Sequence, residues 1–152
     1  KAAKLTGKEQ VLDLYAGVGI FSAFIAPRAE LVTLVESYPP AVTDADENLA
    51  EFDNIDIIEG QVEMVLDDMI EESAEYDVAI VDPPNSGLSK QVIQQLQKLN
   101  IKRIVYVSGD PASLARDSQT LISAGYPVKH IQPMDFAPQT YYIEAVALFE
   151  HR

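Results

Sequence analysis

Asp13-Leu14-Tyr15-Ala16-Gly17-Val18-Gly19-Ile20-Phe21-Ser22 follows without a break from a short apolar run, residues 10–15 (QVLDLY). An apolar run of that length ending in glycines reads as a buried strand, and residues 20–26 read as a short helix closed near Pro27. Glycine at 17 and 19 lets the backbone turn tightly and approach a ligand with no Cβ in the way. A GxG alone is a weak signal, since a plain structural turn also explains it. Its place between a predicted strand and a predicted helix is what gives it weight.

Outward from this unit the same alternation repeats. Strands are predicted at 31–35 (LVTLV), 55–58, 77–81 (DVAIV) and 103–107 (RIVYV), where β-branched residues concentrate. Helices are predicted from Pro39 or Pro40 to about Phe52, over 62–72, 88–99 and 111–124, the last closed by Gly125. Val62, Val65, Leu66 and Met69 fall on one helix face, as do Leu88, Val92, Leu96 and Leu99. Past Gly125 the alternation breaks, and 128–134 and 142–149 read as consecutive strands. The expected fold is α/β and Rossmann-like: a mainly parallel, doubly wound sheet ending in an antiparallel strand pair. The late pair should put one antiparallel strand at or near an edge. No repeat, low-complexity tract or linker interrupts residues 1–152, so a single domain is expected. Its start at Lys1, within about ten residues of a strand, reads as a domain cut from a longer chain.

Composition narrows the chemistry. With 152 residues, 47% hydrophobic, the chain can bury a substantial core. No apolar run approaches the roughly 20 residues of a membrane helix, and a soluble, cytoplasmic protein is expected. The absence of cysteine excludes disulfides, thiolate metal sites and thiolate nucleophiles from these residues. His130 and His151 are the only histidines, so no metal site is expected. The net charge of -13 is unevenly spread: no Lys or Arg lies between Arg28 and Lys90, a stretch with 17 of the 24 acidic residues. A phosphate backbone would be repelled there, so nucleic acid would use the basic positions, Lys1, Lys4 and Lys8 or Lys90 to Arg116.

Glu36 stands just past the second strand, 17 residues after Gly19. An acid in that register can accept the ribose hydroxyls of an adenosine-containing cofactor. Two cofactor types share this geometry. A dinucleotide oxidoreductase would favour glycine where Ser22 stands, and would bring an anionic pyrophosphate. Asp13, Glu36 and Asp82 all fall at the carboxyl ends of strands, where they would repel a pyrophosphate and attract a cation. The sulfonium and ammonium of S-adenosylmethionine fit that charge, so the expected cofactor is S-adenosylmethionine.

The run Ile104-Val105-Tyr106-Val107-Ser108-Gly109-Asp110-Pro111-Ala112-Ser113-Leu114-Ala115-Arg116-Asp117 resembles the signature of the RNA 5-methyluridine (uracil-5-)methyltransferases. DLYAGVGIFS, the Val81-Asp82-Pro83-Pro84 after strand four, and Asp135…Pro138…Thr140…Glu144 follow the same family pattern in order. The resemblance implies a class I methyltransferase fold and an RNA partner, tRNA or rRNA, recognised mainly through an N-terminal RNA-binding part. It also implies site roles. Asp13, Tyr15, Gly17, Gly19 and Ile20 would form the cofactor loop, with Glu36 at the ribose and Gln61 near the adenine. Asp82 would lie by the cofactor's amino-acid end or the target base, and Glu144 would be the general base.

The chain departs from the family at the reacting centre. In the family a cysteine thiolate adds to carbon 6 of uracil, and the resulting enolate takes the methyl group at carbon 5. A base then removes the carbon 5 proton, and the thiol is eliminated from carbon 6. Gly109 occupies the cysteine position, Asp110 that of the following Asn, Asn85 that of the Arg after the prolines, and Tyr142 that of a His. Ser108 is adjacent, but an unactivated hydroxyl is a far poorer nucleophile. Three readings follow: a cofactor-binding domain unable to methylate uracil by itself, a non-catalytic cofactor- or RNA-binding module, or an active enzyme on another acceptor. For the last, Asp82-Pro83-Pro84-Asn85 resembles the motif of amino-methylating enzymes, though Asn85 replaces the usual aromatic. Arg116-Asp117 is expected to be an ion pair on a helix surface.

Overall fold

The computed structural model describes residues 2–151. Five βα units alternate along the chain: β1 (Gln10–Leu14), α1 (Ile20–Ile25), β2 (Leu31–Glu36), α2 (Pro39–Leu49), β3 (Ile55–Glu59), α3 (Val62–Glu71), β4 (Val78–Val81), α4 (Lys90–Lys98), β5 (Arg103–Ser108) and α5 (Pro111–Ser123). Two strands follow, β6 (Val128–Met134) and β7 (Glu144–Glu150). Among the described residues they form a seven-stranded sheet in the order β3-β2-β1-β4-β5-β7-β6. Pairing is parallel from β3 through β5, while β7 runs antiparallel to both β5 and β6. The one reversed strand is therefore next to the edge, as the late strand pair predicted.

Alternation along each strand divides the core. Leu12, Leu14, Ala79, Val81, Ile104, Tyr106, Ala147 and Phe149 pack with Leu66, Leu96, Leu114 and Leu121 from α3, α4 and α5. Val11, Val32, Val78, Ile80, Val105 and Leu148 face the other way, toward α1. Leu34 joins Ala45 and Leu49 of α2 on that second face. Each fully buried aliphatic or aromatic side chain contributes roughly 1.5–3 kcal/mol relative to exposure, so burial on both faces dominates the fold's stability.

The predicted ends shift by one to three residues, each for a local reason. The helix expected from Leu88 begins at Lys90, because the Ser89 hydroxyl accepts the Val92 N–H and caps it. The α2 helix stops at Leu49, whose carbonyl accepts the Phe52 N–H in a closing turn. The strand expected from Tyr142 begins at Glu144, since Thr140 Oγ1 accepts the Tyr142 N–H and holds that segment in a turn. Conversely β2 runs one residue further than expected, so Glu36 is its last residue.

Candidate active site

Three strand ends converge at the carboxyl edge. β1 and β4 are neighbours at the centre, and the chain leaves them in different directions, which opens a crevice there. Just past β1 come Tyr15 at φ 60, Gly17 at φ 56 and Gly19 at φ 84. Tyr15 is a non-glycine residue held in the left-handed region, which stores strain of order 1–3 kcal/mol. Its side chain is half-buried, and burial followed by the charges of Glu63 and Asp117 pushes its hydroxyl well above the ordinary tyrosine range.

The two glycines serve different ends. A Cβ on Gly19 would come 2.7 Å from Leu49 Cδ1, so its bareness lets the loop pack on α2. A Cβ on Gly17 would meet nothing within 4 Å, so the backbone there borders open space. The Gly17 N–H donates to Glu36 Oε2 at 2.9 Å, while Glu36 Oε1 accepts the N–H groups of Ser37 at 2.7 Å and Tyr38 at 2.8 Å. A carboxylate offers about four acceptor sites. Three are thus taken by backbone, leaving room for a further donor beside the open space at Gly17.

Asp13 lies on the α1 face of β1 and is fully buried. Its Oδ2 accepts the Ser22 hydroxyl at 2.7 Å, while its Oδ1 has no partner. Burial raises the Asp13 carboxyl to about 7; the Ser22 hydrogen bonds oppose this and the charge of Asp82 adds to it. Asp82 follows β4 and is solvent-accessible, its N–H donating to Leu14 O at 3.3 Å. Partial enclosure, then the charge of Glu144, push its carboxyl up to about 6. Asp13, Asp82 and Glu144 thus form an electrostatic series from the sheet interior to the rim.

At that rim a pocket of ≈ 250 Å³ is lined by Asn85, Gly109, Phe136, Tyr142 and Glu144, with Ala137 and Ile143. Residues from the β4–α4 loop, the end of β5 and the approach to β7 meet there, although they are far apart in sequence. A larger cavity, around Lys8, Glu30, Tyr76 and Lys102, lies by the amino ends of the strands, away from these groups.

The remaining expected site residues are more loosely joined. Ile20 opens α1 with its side chain largely exposed. Gln61 is exposed at the start of α3, tied to the site only through Gly60, whose N–H donates to Glu36 O at 2.9 Å. Asn48, which the sequence reading did not single out, donates to Val18 O at 3.0 Å and braces the glycine loop from α2. Its signal was too slight to find, a lone amide on an exposed helix face.

Arg116-Asp117 departs from expectation. Asp117 is not on the surface but buried, 2% exposed. Its Oδ2 accepts the Tyr106 hydroxyl at 2.8 Å and the Leu88 N–H at 2.7 Å, and its Oδ1 accepts Arg116 Nε at 2.9 Å and Nη2 at 2.7 Å. The cause is α5 docking on β5, which turns one acid of the helix inward to a strand tyrosine. Among the described residues, no cluster of three or more His, Asp or Glu side chains suits a metal ion, and no helix is long and apolar enough to cross a membrane.

A family model described as tRNA (Uracil-5-)-methyltransferase matches residues 2–152. An uncharacterised RNA methyltransferase of Caldanaerobacter subterraneus is 44% identical over 150 residues, 97% of this chain and 33% of that protein. One of Enterococcus faecalis is 42% identical over 148 residues, covering 96% of this chain and 32% of its own length. Among solved structures, the Pyrococcus abyssi tRNA (uracil-54, C5)-methyltransferase in complex with S-adenosyl-L-homocysteine superposes with a TM-score of 0.82. It is 31% identical, and the match covers 97% of this chain and 36% of that one. The chain spans about a third of the length of the curated relatives it matches.

Proposed function

Because the chain belongs to the tRNA (uracil-5-)-methyltransferase family, we propose that it is the S-adenosylmethionine-binding domain of an RNA methyltransferase unable to methylate uracil at carbon 5 by itself. The observation that carries this is the rim pocket. Asn85, Gly109 and Tyr142, three positions where the chain departs from the family pattern, line one pocket with Glu144, beside Asp82. The changes are concentrated at the acceptor, while the glycine loop and Glu36 keep the family pattern.

The residues present fit the cofactor. Open space over Gly17, the spare acceptor capacity of Glu36 and the unpartnered oxygen of Asp13 suit a ligand with hydroxyls and positive charge. Tyr15, Gly17, Gly19, Ile20 and Glu36 would hold its adenosine half, Gln61 would lie near the adenine, and Asp13 and Asp82 would face its charged end. S-adenosylmethionine, when bound, supplies an electrophilic methyl group. Glu144 would act as a base toward the acceptor, and Asp82 would hold or release a proton near neutral pH. No thiol stands at position 109 to add to a pyrimidine ring, and none exists elsewhere in the chain. RNA would be bound mainly by a part of the protein outside this chain, in the cytoplasm, with residues 1–152 as one domain.

A second reading is methylation of an amino group, which needs no covalent nucleophile. It is favoured by a lining that offers acceptors, Asn85 Oδ1 and Glu144, and no cationic side chain. Two measurements test these readings on the full-length protein. Calorimetric titration with S-adenosylmethionine and S-adenosylhomocysteine should give micromolar binding, about -8 kcal/mol, lost in Glu36→Ala. No binding to either would refute the cofactor assignment. RNA incubated with labelled S-adenosylmethionine and analysed by mass spectrometry should carry no 5-methyluridine; methyl on nitrogen would select the second reading.

A further inference from the structure

The β4–α4 loop carries Asn85, which lines the rim pocket, and Asp82, which feels the charge of Glu144 in that lining, yet its own backbone has little with which to hold itself. Pro83 and Pro84 lack N–H groups, so this stretch can donate few backbone hydrogen bonds. Its ends are anchored, at Asp82 by Leu14 O and at Ser89 by the cap of α4. Between them, the Gly87 N–H donates to Pro84 O at 2.7 Å and makes a tight turn at φ 77. What fixes that turn to the rest of the molecule comes from α5. Arg116 Nη2 donates to Ser86 O at 2.6 Å, and Asp117 Oδ2 accepts the Leu88 N–H. Asp117 is pressed so closely on the turn that a Cβ at Gly87 would lie 2.3 Å from its Oδ2.

We propose that Arg116, Asp117 and Tyr106 form a clamp that positions residues 82–89, setting Asp82 and Asn85 against the acceptor pocket. They are positioning residues, since none of the three lines that pocket. The geometry is of a saturated node. Asp117 receives four hydrogen bonds, from Tyr106, Leu88 and two nitrogens of Arg116, which fills the roughly four acceptor sites of a carboxylate. The planar guanidinium can bind the carboxylate through two nitrogens while one of them also reaches a carbonyl; a point-charge ammonium cannot reproduce this. The node also bears on the pocket's width. Asn85 Oδ1 lies 3.5 Å from the point a Cβ on Gly109 would occupy, so a small movement of the loop changes the space across the pocket. The fully buried Tyr106 ties the node to β5, whose far end runs on to Ser108 and Gly109. Both walls of the pocket are thereby referred to one buried carboxylate.

The inference rests on the pocket being the acceptor site, and its test separates the two. Hydrogen–deuterium exchange read by mass spectrometry on the full-length protein compares Arg116→Ala, Arg116→Lys and Tyr106→Phe with the wild type. Arg116 is more than half exposed, so its loss should leave the fold intact. The expected result in Arg116→Ala is about tenfold faster exchange in peptides covering 85–88, with β5 and α5 at wild-type rates. Tyr106→Phe should produce a smaller change at the same peptides, and Arg116→Lys should restore only part of the protection. Unchanged exchange over 85–88 in Arg116→Ala would overturn the clamp. So would an equal acceleration across β5, α5 and the loop, which marks a general stabilising contact, or full rescue by Lys, which makes charge alone sufficient. S-adenosylhomocysteine binding by the wild type is measured in parallel. If the wild type does not bind it, the function proposed above fails while the exchange pattern still decides the clamp.

Discussion

Asp13 has its carboxyl raised to about 7 by burial, against an ordinary value of 3.8. The folded state therefore holds a proton that the unfolded chain has already released. A raised folded value means that unfolding releases protons, so stability falls as pH rises from about 4 through about 7 and is least above it. Asp82, raised to about 6, adds to the same trend over a lower window. Asn at position 13 can still accept the Ser22 hydroxyl and carries no charge to bury. Denaturant unfolding of Asp13→Asn and wild type at pH 5 and pH 8 should show the variant gaining relative stability, on the order of 2 kcal/mol, as pH rises. A gap independent of pH would show that Asp13 is not the titrating group. On the function proposed above, a cationic ligand beside the unpartnered Oδ1 would favour the ionised form.

Within the βα units, the loops after β1 and β4 use glycine for different physical reasons. Gly17 and Gly87 both have positive φ, but space lies over the first and a buried carboxylate over the second. Gly17→Ala should therefore lose about 1 kcal/mol of stability from backbone strain and most of its S-adenosylhomocysteine affinity, because a methyl group then projects into the open space. Gly87→Ala should lose more than about 2 kcal/mol, since a methyl group 2.3 Å from Asp117 Oδ2 forces the clamp apart. Thermal unfolding and calorimetry on the same pair would reveal the crossed pattern. If both variants lose stability alike and bind alike, the space over Gly17 has no ligand to exclude.

Across the whole molecule, the strand order puts β1 and β4 at the centre and brings β7 back beside β5. That return places Glu144 near Asp82 and closes the pocket over Gly109. A Cβ at position 109 would meet only Asn85 Oδ1, at an ordinary 3.5 Å, so the pocket has room for a thiol. Gly109→Cys in the full-length protein should unfold within about 2 °C of wild type and form a covalent adduct with 5-fluorouracil-containing RNA. Denaturing electrophoresis would reveal the adduct. A folded variant without adduct would assign part of the lost chemistry to Asn85 and Tyr142. The acidic stretch follows the same large-scale division, since residues 29–89 build β2, β3 and β4 with helices α2 and α3, while β6 carries Lys129 and His130. On the function proposed above, RNA would reach the pocket over the β7–β6 side, where repulsion is weaker.

Hydrophobic period and turn chemistry are local, so the alternation of strands and helices, the parallel sheet, the glycine loop and the register of Glu36 were all legible in the chain. So was the family, because the run around Tyr106 to Asp117 is specific. The reversed strand beside the edge was also within reach, from the missing helix between the last two apolar runs. The pocket was not, because Asn85, Gly109 and Glu144 meet only when β7 inserts between β5 and β6, a pairing that depends on long-range sheet register. Nor was the inward turn of Asp117: a charged pair on a helix carries no mark of which face will dock. Local sequence sets which residues can take a conformation. Packing between distant elements decides which of their polar atoms must find partners inside, and here that turned an apparent surface acid into the node beneath the β4–α4 loop.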